Sequence, residues 1–419
     1  MAAMNDDKRR ILAWIEADRE PLVQFLSRFV QARSPSPPGD TRKAAAHVAR
    51  FLKSQKLPHK LIAPRKTMPN VVASFAGAQP GRHLVLNGHL DVYPADETDR
   101  RWKYRPWSGA VADGGIWGRG SVDMKCGLTA LVWTYRYLHR LRKNLKGRLS
   151  LTAVSDEETF GVWGADYLLE HHPDLRGDCC LSAEPSTPTA IRFGEKGVLW
   201  LEFAVVTDGA DGGYTHRSES ASKLAMALAR DLEAVTRIKA PLPAKVRAVL
   251  KRNAAAIDAA QGAGAAEVAA RVTLNIGFLH SGTAINILPG EARLGADIRL
   301  PPGVDKAPVL AVVHRILANY PQASMREVKY NPPSWSDPEG EMLRLIQANV
   351  QALGGEAPKA ILGVGATDTR LWRYRKVPAY VYGPPPIGLG SHGEHVRIET
   401  FLHVVRTHAL SAYDYLSRA

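Results

Sequence analysis

Cysteine is scarce: Cys126, Cys179 and Cys180 are the only three in 419 residues, and two of them are neighbours. Three such thiols cannot build a disulfide framework, so the fold must rest on an apolar core, and the cytoplasm is the expected compartment. Long apolar runs are missing as well. None approaches the roughly 18–20 residues of a membrane span. The opening MAAMNDDKRRILAWIEADRE is charged throughout and lacks the apolar stretch of a signal peptide. No membrane partner is expected. Acidic residues are the minority charge, 41 against 55 Lys and Arg, for a formal net charge of +14. That excess is scattered, and no basic run is interleaved with aromatics, so nucleic acid is not an expected partner either. A diffuse positive field would instead favour a small substrate that carries a carboxylate. Internal repeats and low-complexity tails are also absent.

What is present is the composition of a globular protein, 45% apolar and 23% charged, over a length that suggests more than one domain. ILAWIEADREPLVQFLSRFVQA and TRKAAAHVARFLKSQ carry apolar residues at helical spacing. Short apolar runs follow, NVVASFA, HLVLNG, RLSLTAVS and DCCLSAE, with the helical KCGLTALVWTYRYLHRLRKN between the second and third. This alternation predicts an α/β class, a mostly parallel sheet flanked by helices. After IRFGEKG the texture changes. VLWLEFAVV alternates like a half-exposed antiparallel strand, SKLAMALARDLEAVTRI is helical, and RVTLNIGFLHSG and EARLGADIRL read as two more strands. The expected organisation is one α/β domain formed by residues 1–194 and 303–419, interrupted by a smaller α+β domain at 195–302.

Within LVLNGHLDVYPADE, His89 and Asp91 sit two apart at the end of an apolar run, a spacing that puts both on one face of a strand. Asp123 follows a Gly-rich turn in IWGRGSVDMKCG, just ahead of a helical pattern, where a ligand and a helix N-cap look alike. RLSLTAVSDEET ends a strand with Asp156, Glu157 and Glu158, and CCLSAEPST ends the next with Glu184. In open α/β sheets ligands bind outside the carboxyl ends of the strands, so several strands would deliver these groups to one crevice. Carboxylates gathered there would repel each other and resist ionisation. A divalent ion resolves that conflict, and several carboxylates with one or two His can hold two ions a few ångströms apart.

In chain order, the segments NGHLDVYPADE, GGIWGRGSVDMKCG, SDEETFGVWGADYLL, SAEPS, TAINILPGEARLGADIR, GATDTRLWR and YGPP resemble a family of two-metal amidohydrolases and exopeptidases. It includes aminoacylase, acetylornithine deacetylase, succinyl-diaminopimelate desuccinylase and carboxypeptidase G. The resemblance extends from about Leu22 to Leu416 and implies a zinc-exopeptidase-like catalytic domain with an inserted lid and dimerisation domain. It implies that His89 binds one metal, with the Asp91 carboxylate orienting its imidazole. Asp123 would bridge two ions, Glu158 would bind the second and Glu184 the one shared with His89. Glu157 would be the general base. Zinc is the expected metal, with cobalt or manganese suited to the same ligands. The family usually places a final ligand His four residues before a Glu, whereas GLGSHGEHVRIE has His392 only two before Glu394. The resemblance, allowing for a shortened segment, assigns His392, with His395 the other choice.

In the inserted domain, His216 would reach the partner subunit's active site and hydrogen-bond the developing oxyanion, which implies a homodimer. Asn286 and Arg299 resemble substrate-holding residues, Arg299 by bidentate carboxylate binding or, alternatively, as a sheet salt bridge. Thr367, Asp368 and Arg370 mark a further substrate loop. Cys126 stands where relatives commonly carry Gly and reads as packing. The implied activity is metal-dependent hydrolysis of an amide C–N bond in a small carboxylate-bearing substrate, such as an N-acyl amino acid or dipeptide. The same metal residues would serve an aminohydrolase releasing ammonia from an aromatic amine or carbamoyl compound. A non-catalytic dimeric binding protein is the third reading, disfavoured by the presence of both Glu157 and Asp123.

Overall fold

The computed structural model describes residues 5–417, which fall into two compact units. The first ends at Phe193 and resumes over Trp335–Ile361 and again from Thr367; the second comprises Gly194–Ser334 and Leu362–Ala366. Two large sheets, of nine and four strands, are built from β1 (His59–Ile62), β2 (Asn70–Ala76), β3 (Gln79–His89), β4 (Lys146–Val154), β5 (Cys179–Ser182), β6 (Ala190–Glu195), β7 (Gly197–Val206), β8 (Thr273–Ser281), β9 (Glu291–Leu300), β10 (Ala323–Asn331), β11 (Ser334–Trp335), β12 (Lys359–Gly363) and β13 (Ala379–Val381).

The nine-stranded sheet has the order β1-β2-β4-β3-β5-β13-β6-β11, with β12 beside β6. Its centre is parallel: β4, β3, β5 and β13 pair in that sense. The pairings of β1 with β2, β2 with β4 and β13 with β6 are antiparallel. Asn87 is in register with Thr152 on one side and Ser182 on the other. The chain therefore leaves β4, β3 and β5 at the same edge, and the residues just beyond that row, His89, Glu157, Glu158 and Glu184, emerge together.

Helices cover both faces of the parallel centre, which is why its strands are apolar without alternation. On one face the helices Lys125–Arg140 and Ile398–Ser417 pack on each other and on β3 and β4. On the other, Val72, Val85, Val154 and Cys180 meet Leu168, Leu169, Leu371 and Trp372. Each such buried side chain contributes about 1.5–3 kcal/mol. One glycine sets a close approach: a Cβ on Gly127 would lie 2.0 Å from the carbonyl oxygen of Ala183. The helix that follows Asp123 thus presses directly on the segment that carries Glu184.

The smaller unit holds a four-stranded antiparallel sheet, β8-β9-β7-β10. Leu199, Leu201, Phe203 and Val205 of β7 and Leu294, Ala296 and Ile298 of β9 form its buried core with Ala225 and Leu228 of the helix Ala221–Asp231. The expected boundary at 302 needs correction. Val309 and Val313 of the helix Lys306–Leu317 belong to this same core, and β10 completes the sheet against β7. The unit accordingly runs on to Ser334 and takes in Leu362–Ala366 as well.

Candidate metal centre

His89 closes β3 and is almost fully buried, at 1% exposure. Its Nδ1 lies 2.9 Å from the main-chain carbonyl oxygen of Asp91. A carbonyl only accepts, so in the neutral ring Nδ1 carries the proton and Nε2 presents its lone pair. Around Nε2 stand Asp123 Oδ1 at 3.1 Å, Glu184 Oε1 at 3.4 Å and Glu157 Oε2 at 3.9 Å. Two ligand-sized groups share this imidazole, His89 with Asp123 and Glu158, and His89 with Glu157 and Glu184, the offered atoms in each lying within 4.8 Å of one another.

The turn after β4 explains how two adjacent glutamates come to face one imidazole. Asp156 takes φ +75° and Phe160 φ +77°, left-handed values that reverse the chain within a few residues. The Asp156 carboxylate ties the turn down by accepting the Thr159 hydroxyl and the Trp163 N–H. The Asp91 carboxylate accepts the main-chain N–H groups of Glu157 at 3.2 Å and Glu158 at 3.1 Å. Asp91 thus holds the glutamate turn in addition to the imidazole-orienting role expected for its carboxylate. Its carbonyl, not its carboxylate, is the nearer partner of the His89 ring, since the carboxylate stands 3.6 Å from Nδ1 while holding the glutamate turn.

Burial dominates the electrostatics. It pushes Glu157, Glu158 and Glu184 above the usual carboxyl range, and the neighbouring carboxylates push in the same direction. His89 is desolvated too, yet Glu184, Asp123 and Glu157 together outweigh that cost and hold the ring well above its usual range. Burial also raises Asp368, to about 7, although Arg370 and His89 oppose it. One oxygen of Glu158 and both of Asp368 are buried without a hydrogen-bond partner among the described residues. A buried donor set of four converging carboxylates and one imidazole, with an acceptor oxygen left unmatched, has the chemistry of a divalent-cation site.

The other expected site residues are distributed differently. His392 is not brought into either ligand group: its Nε2 lies 2.6 Å from Asp99 Oδ2 and its ring meets Trp102 edge-on. The left-handed glycines Gly388 and Gly390 turn the shortened segment toward that carboxylate. His395 stacks on Trp117, centroids 3.9 Å apart. Arg370 is buried and donates to the carbonyls of Thr367 at 2.7 Å and Phe160 at 2.8 Å, bracing the end of the glutamate turn, and Thr367 is buried beside Thr369. In the smaller unit, Arg299 forms a two-point pair with Asp297, the sheet salt bridge rather than an open carboxylate clamp. His216 and Asn286 are exposed there. Cys126 is buried and its thiol is raised by that burial, as a packing residue should be. No helix of the described residues is long and apolar enough to cross a membrane.

Comparison with known proteins agrees with this geometry. Residues 85–414 match the model of peptidase family M20/M25/M40. A succinyl-diaminopimelate desuccinylase of Gluconacetobacter diazotrophicus is 28% identical, covering 83% of this chain and 84% of its own. Aminoacylase-1 of Dictyostelium discoideum is 24% identical over 91% of this chain and 94% of its own. Among solved structures, the M20 family metallo-carboxypeptidase Sso-CP2 from Sulfolobus solfataricus superimposes with a TM-score of 0.81 at 18% identity, covering 94% of this chain and 99% of that one. The chain belongs to peptidase family M20/M25/M40 and is a metal-dependent hydrolase of C–N bonds.

Proposed function

We propose that this protein hydrolyses the amide bond of a small, carboxylate-bearing substrate, an N-acyl amino acid or a dipeptide, using two divalent ions per subunit. The observation that carries this reading is the convergence of Asp123, Glu157, Glu158 and Glu184 on the single buried imidazole of His89. The two relatives, a desuccinylase and an aminoacylase, point to the same bond type, an acyl group on an amino-acid nitrogen. His89, Asp123, Glu158 and Glu184 would hold the ions, zinc for preference, with cobalt or manganese suited to the same donors. When bound, the ions would polarise the amide carbonyl and acidify the attacking water.

The remaining steps belong to the chain itself. Glu157, raised by burial, suits the general base: it takes a proton from the attacking water and hands it to the departing nitrogen. Asp91 keeps that carboxylate in place through the two N–H groups at the base of the turn, while its carbonyl keeps the Nε2 lone pair of His89 facing the space the ions would occupy. His216 in the smaller unit is proposed to serve the partner subunit of a homodimer, donating to the developing oxyanion. Asn286 is proposed to contact the substrate.

The test is a turnover screen of metal-reconstituted protein against N-acetyl and N-succinyl amino acids, dipeptides, carbamoyl compounds and aromatic amines, with Glu157→Ala in parallel. Release of an amine from the acyl or dipeptide pool, dependent on metal and lost in Glu157→Ala, is the expected result. Ammonia release from the carbamoyl or aromatic-amine pool would replace this reading with an aminohydrolase.

A further inference from the structure

Glu394 has no place in either ligand group, yet it is only 1% exposed. Its Oε1 accepts the main-chain N–H of Gly120 at 2.8 Å and of Val122 at 3.1 Å, with that of Asp123 at 3.4 Å. Its Oε2 accepts the Nη1 N–H of Arg119, which is also buried. Arg119 turns its other terminal nitrogen to the carbonyl of Gly390, 2.9 Å away. The Gly118 N–H donates to the carbonyl of Glu394 itself at 3.0 Å. One carboxylate and one guanidinium thus stitch residues 118–123 to residues 390–394 through bonds that span 271 and 274 positions.

The stitched loop has no regular secondary structure; its other main-chain bonds include those from the Arg119 N–H to the Pro106 carbonyl at 2.8 Å and from the Ser121 N–H to the Gly118 carbonyl at 3.1 Å. Gly118 and Gly120 take φ +135° and +85°, a course open to glycine and costly for other residues, and no helix or strand begins until Lys125. The last residue of that loop before Met124 is Asp123, whose Oδ1 faces His89. We infer that Glu394 and Arg119 are positioning residues: they set where the Asp123 carboxylate stands and thereby how tightly the His89 centre holds its ions. The inference rests on reading Asp123 as a metal ligand. Ligands are useful only when held close to the geometry the ion needs, and groups that orient ligands govern affinity nearly as strongly as the ligands do. The glutamate is the stronger anchor of the two, because it accepts three main-chain N–H groups of the loop, whereas Arg119 reaches one main-chain carbonyl.

The competing possibility is a buried ion pair that merely fills space. A pair that merely fills space would leave metal affinity unchanged when it is altered, which separates the two cases. Protein stripped of metal is titrated with cobalt(II) ions, read by the visible absorption of the bound ion, and melted in parallel. The variants are Glu394→Gln, Arg119→Lys, the double variant Arg119→Met with Glu394→Met, and Asp123→Asn as the benchmark. Glu394→Gln is expected to weaken cobalt binding at least tenfold and to alter the absorption bands. Arg119→Lys, which keeps the charge but loses the second donor to Gly390, should fall between it and the unmodified protein. The double variant, which strips the Gly120 and Val122 N–H groups of their acceptor, should melt below the unmodified protein and bind cobalt as poorly as Glu394→Gln.

Unmodified affinity and bands in Glu394→Gln or in the double variant would overturn the inference. If Glu394→Gln does not fold, the double variant and Arg119→Lys decide by the same readings. Asp123→Asn distinguishes the two levels. Should it bind cobalt normally, the reading of Asp123 as a ligand fails. Should it lose cobalt while the Glu394 variants keep it, the positioning role alone fails.

Discussion

Glu157 and Glu158 are neighbours in sequence with separate proposed duties, and backbone geometry is what would separate them. The left-handed Asp156 reverses β4, and Asp91 then fixes both glutamate N–H groups on a single carboxylate. If Glu157 moves the proton and Glu158 holds metal, Glu157→Gln should lower kcat by roughly 100- to 10,000-fold, the span of general acid–base catalysis, while metal stoichiometry, read by mass spectrometry of the native protein, stays unchanged. Loss of an ion in that variant would make Glu157 a ligand instead. Asp91→Asn tests a different link. The asparagine keeps one acceptor oxygen but turns an N–H toward one of the two amides, so one charge-assisted bond is lost and the turn loosens. A fall in kcat of about 10- to 100-fold is expected from the energy of one such bond. Metal affinity should fall less than kcat: the loosened turn also carries Glu158, but His89 is oriented by the Asp91 carbonyl, which the substitution leaves in place. A metal affinity that falls in step with kcat would make orienting the imidazole the main role of the carboxylate.

At the level of elements, the site depends on how closely the helix Lys125–Arg140 sits against the end of β5. Only a hydrogen at position 127 allows it, since a Cβ would approach the Ala183 carbonyl to 2.0 Å. Gly127→Ala should therefore destabilise by about 1–3 kcal/mol, as overpacking does, despite the helix propensity alanine adds. It should also weaken metal binding, because Asp123 and Glu184 flank the forced contact; an unchanged melting temperature would show that the two segments can part freely. Much of this arrangement was legible in the sequence. Apolar runs ending in His89, Glu157–Glu158 and Glu184 read as parallel strands with a common carboxyl edge, and the structure brings those residues together. Other features were not legible, for physical reasons. The choice between Asp91 carbonyl and carboxylate is a matter of ångströms that no spacing encodes. Arg119 and Glu394 meet across 275 positions, and neither lies in a periodic pattern. His392 was placed by analogy, but its segment is short, and where a short loop aims its side chain depends on what it meets, here Asp99. The boundary at 302 failed because the helix Lys306–Leu317 is amphipathic in either domain, and only the pairing of β10 with β7 shows which core it joins.

For the molecule as a whole, one buried and one half-buried imidazole far apart in sequence make folding itself sensitive to acid. His408, in the C-terminal helix, and His47, in the helix Arg42–Ser54, are both pushed down to about 4, chiefly by burial. In His408 the Nε2 proton goes to the Tyr382 carbonyl at 2.6 Å, and Nδ1 is buried with no partner, so a second proton would have nowhere to be solvated. Both pKa values lie below those of the unfolded chain. As pH falls from about 6.5 to about 4, the unfolded state takes up protons that the folded state refuses, and stability is lost over that window, on the order of 3 kcal/mol for a shift of this size. Two buried carboxyls act in the opposite sense. Asp368 and Glu394, raised to about 7 by burial, favour the folded state at low pH and withdraw that support as pH climbs from the ordinary carboxyl range toward 7. The pH curve of the unmodified, metal-free protein is thus a composite, and the difference from a variant isolates one group. His408→Gln offers an amide N–H to the Tyr382 carbonyl but cannot gain a charge. In urea unfolding it should be the less stable form at pH 7.5, with the gap closing as pH falls and gone or reversed by pH 4.5. A gap that stays constant from pH 7.5 to 4.5 would mean that His408 titrates alike in both states, and that burial of this ring places no proton-linked load on the fold.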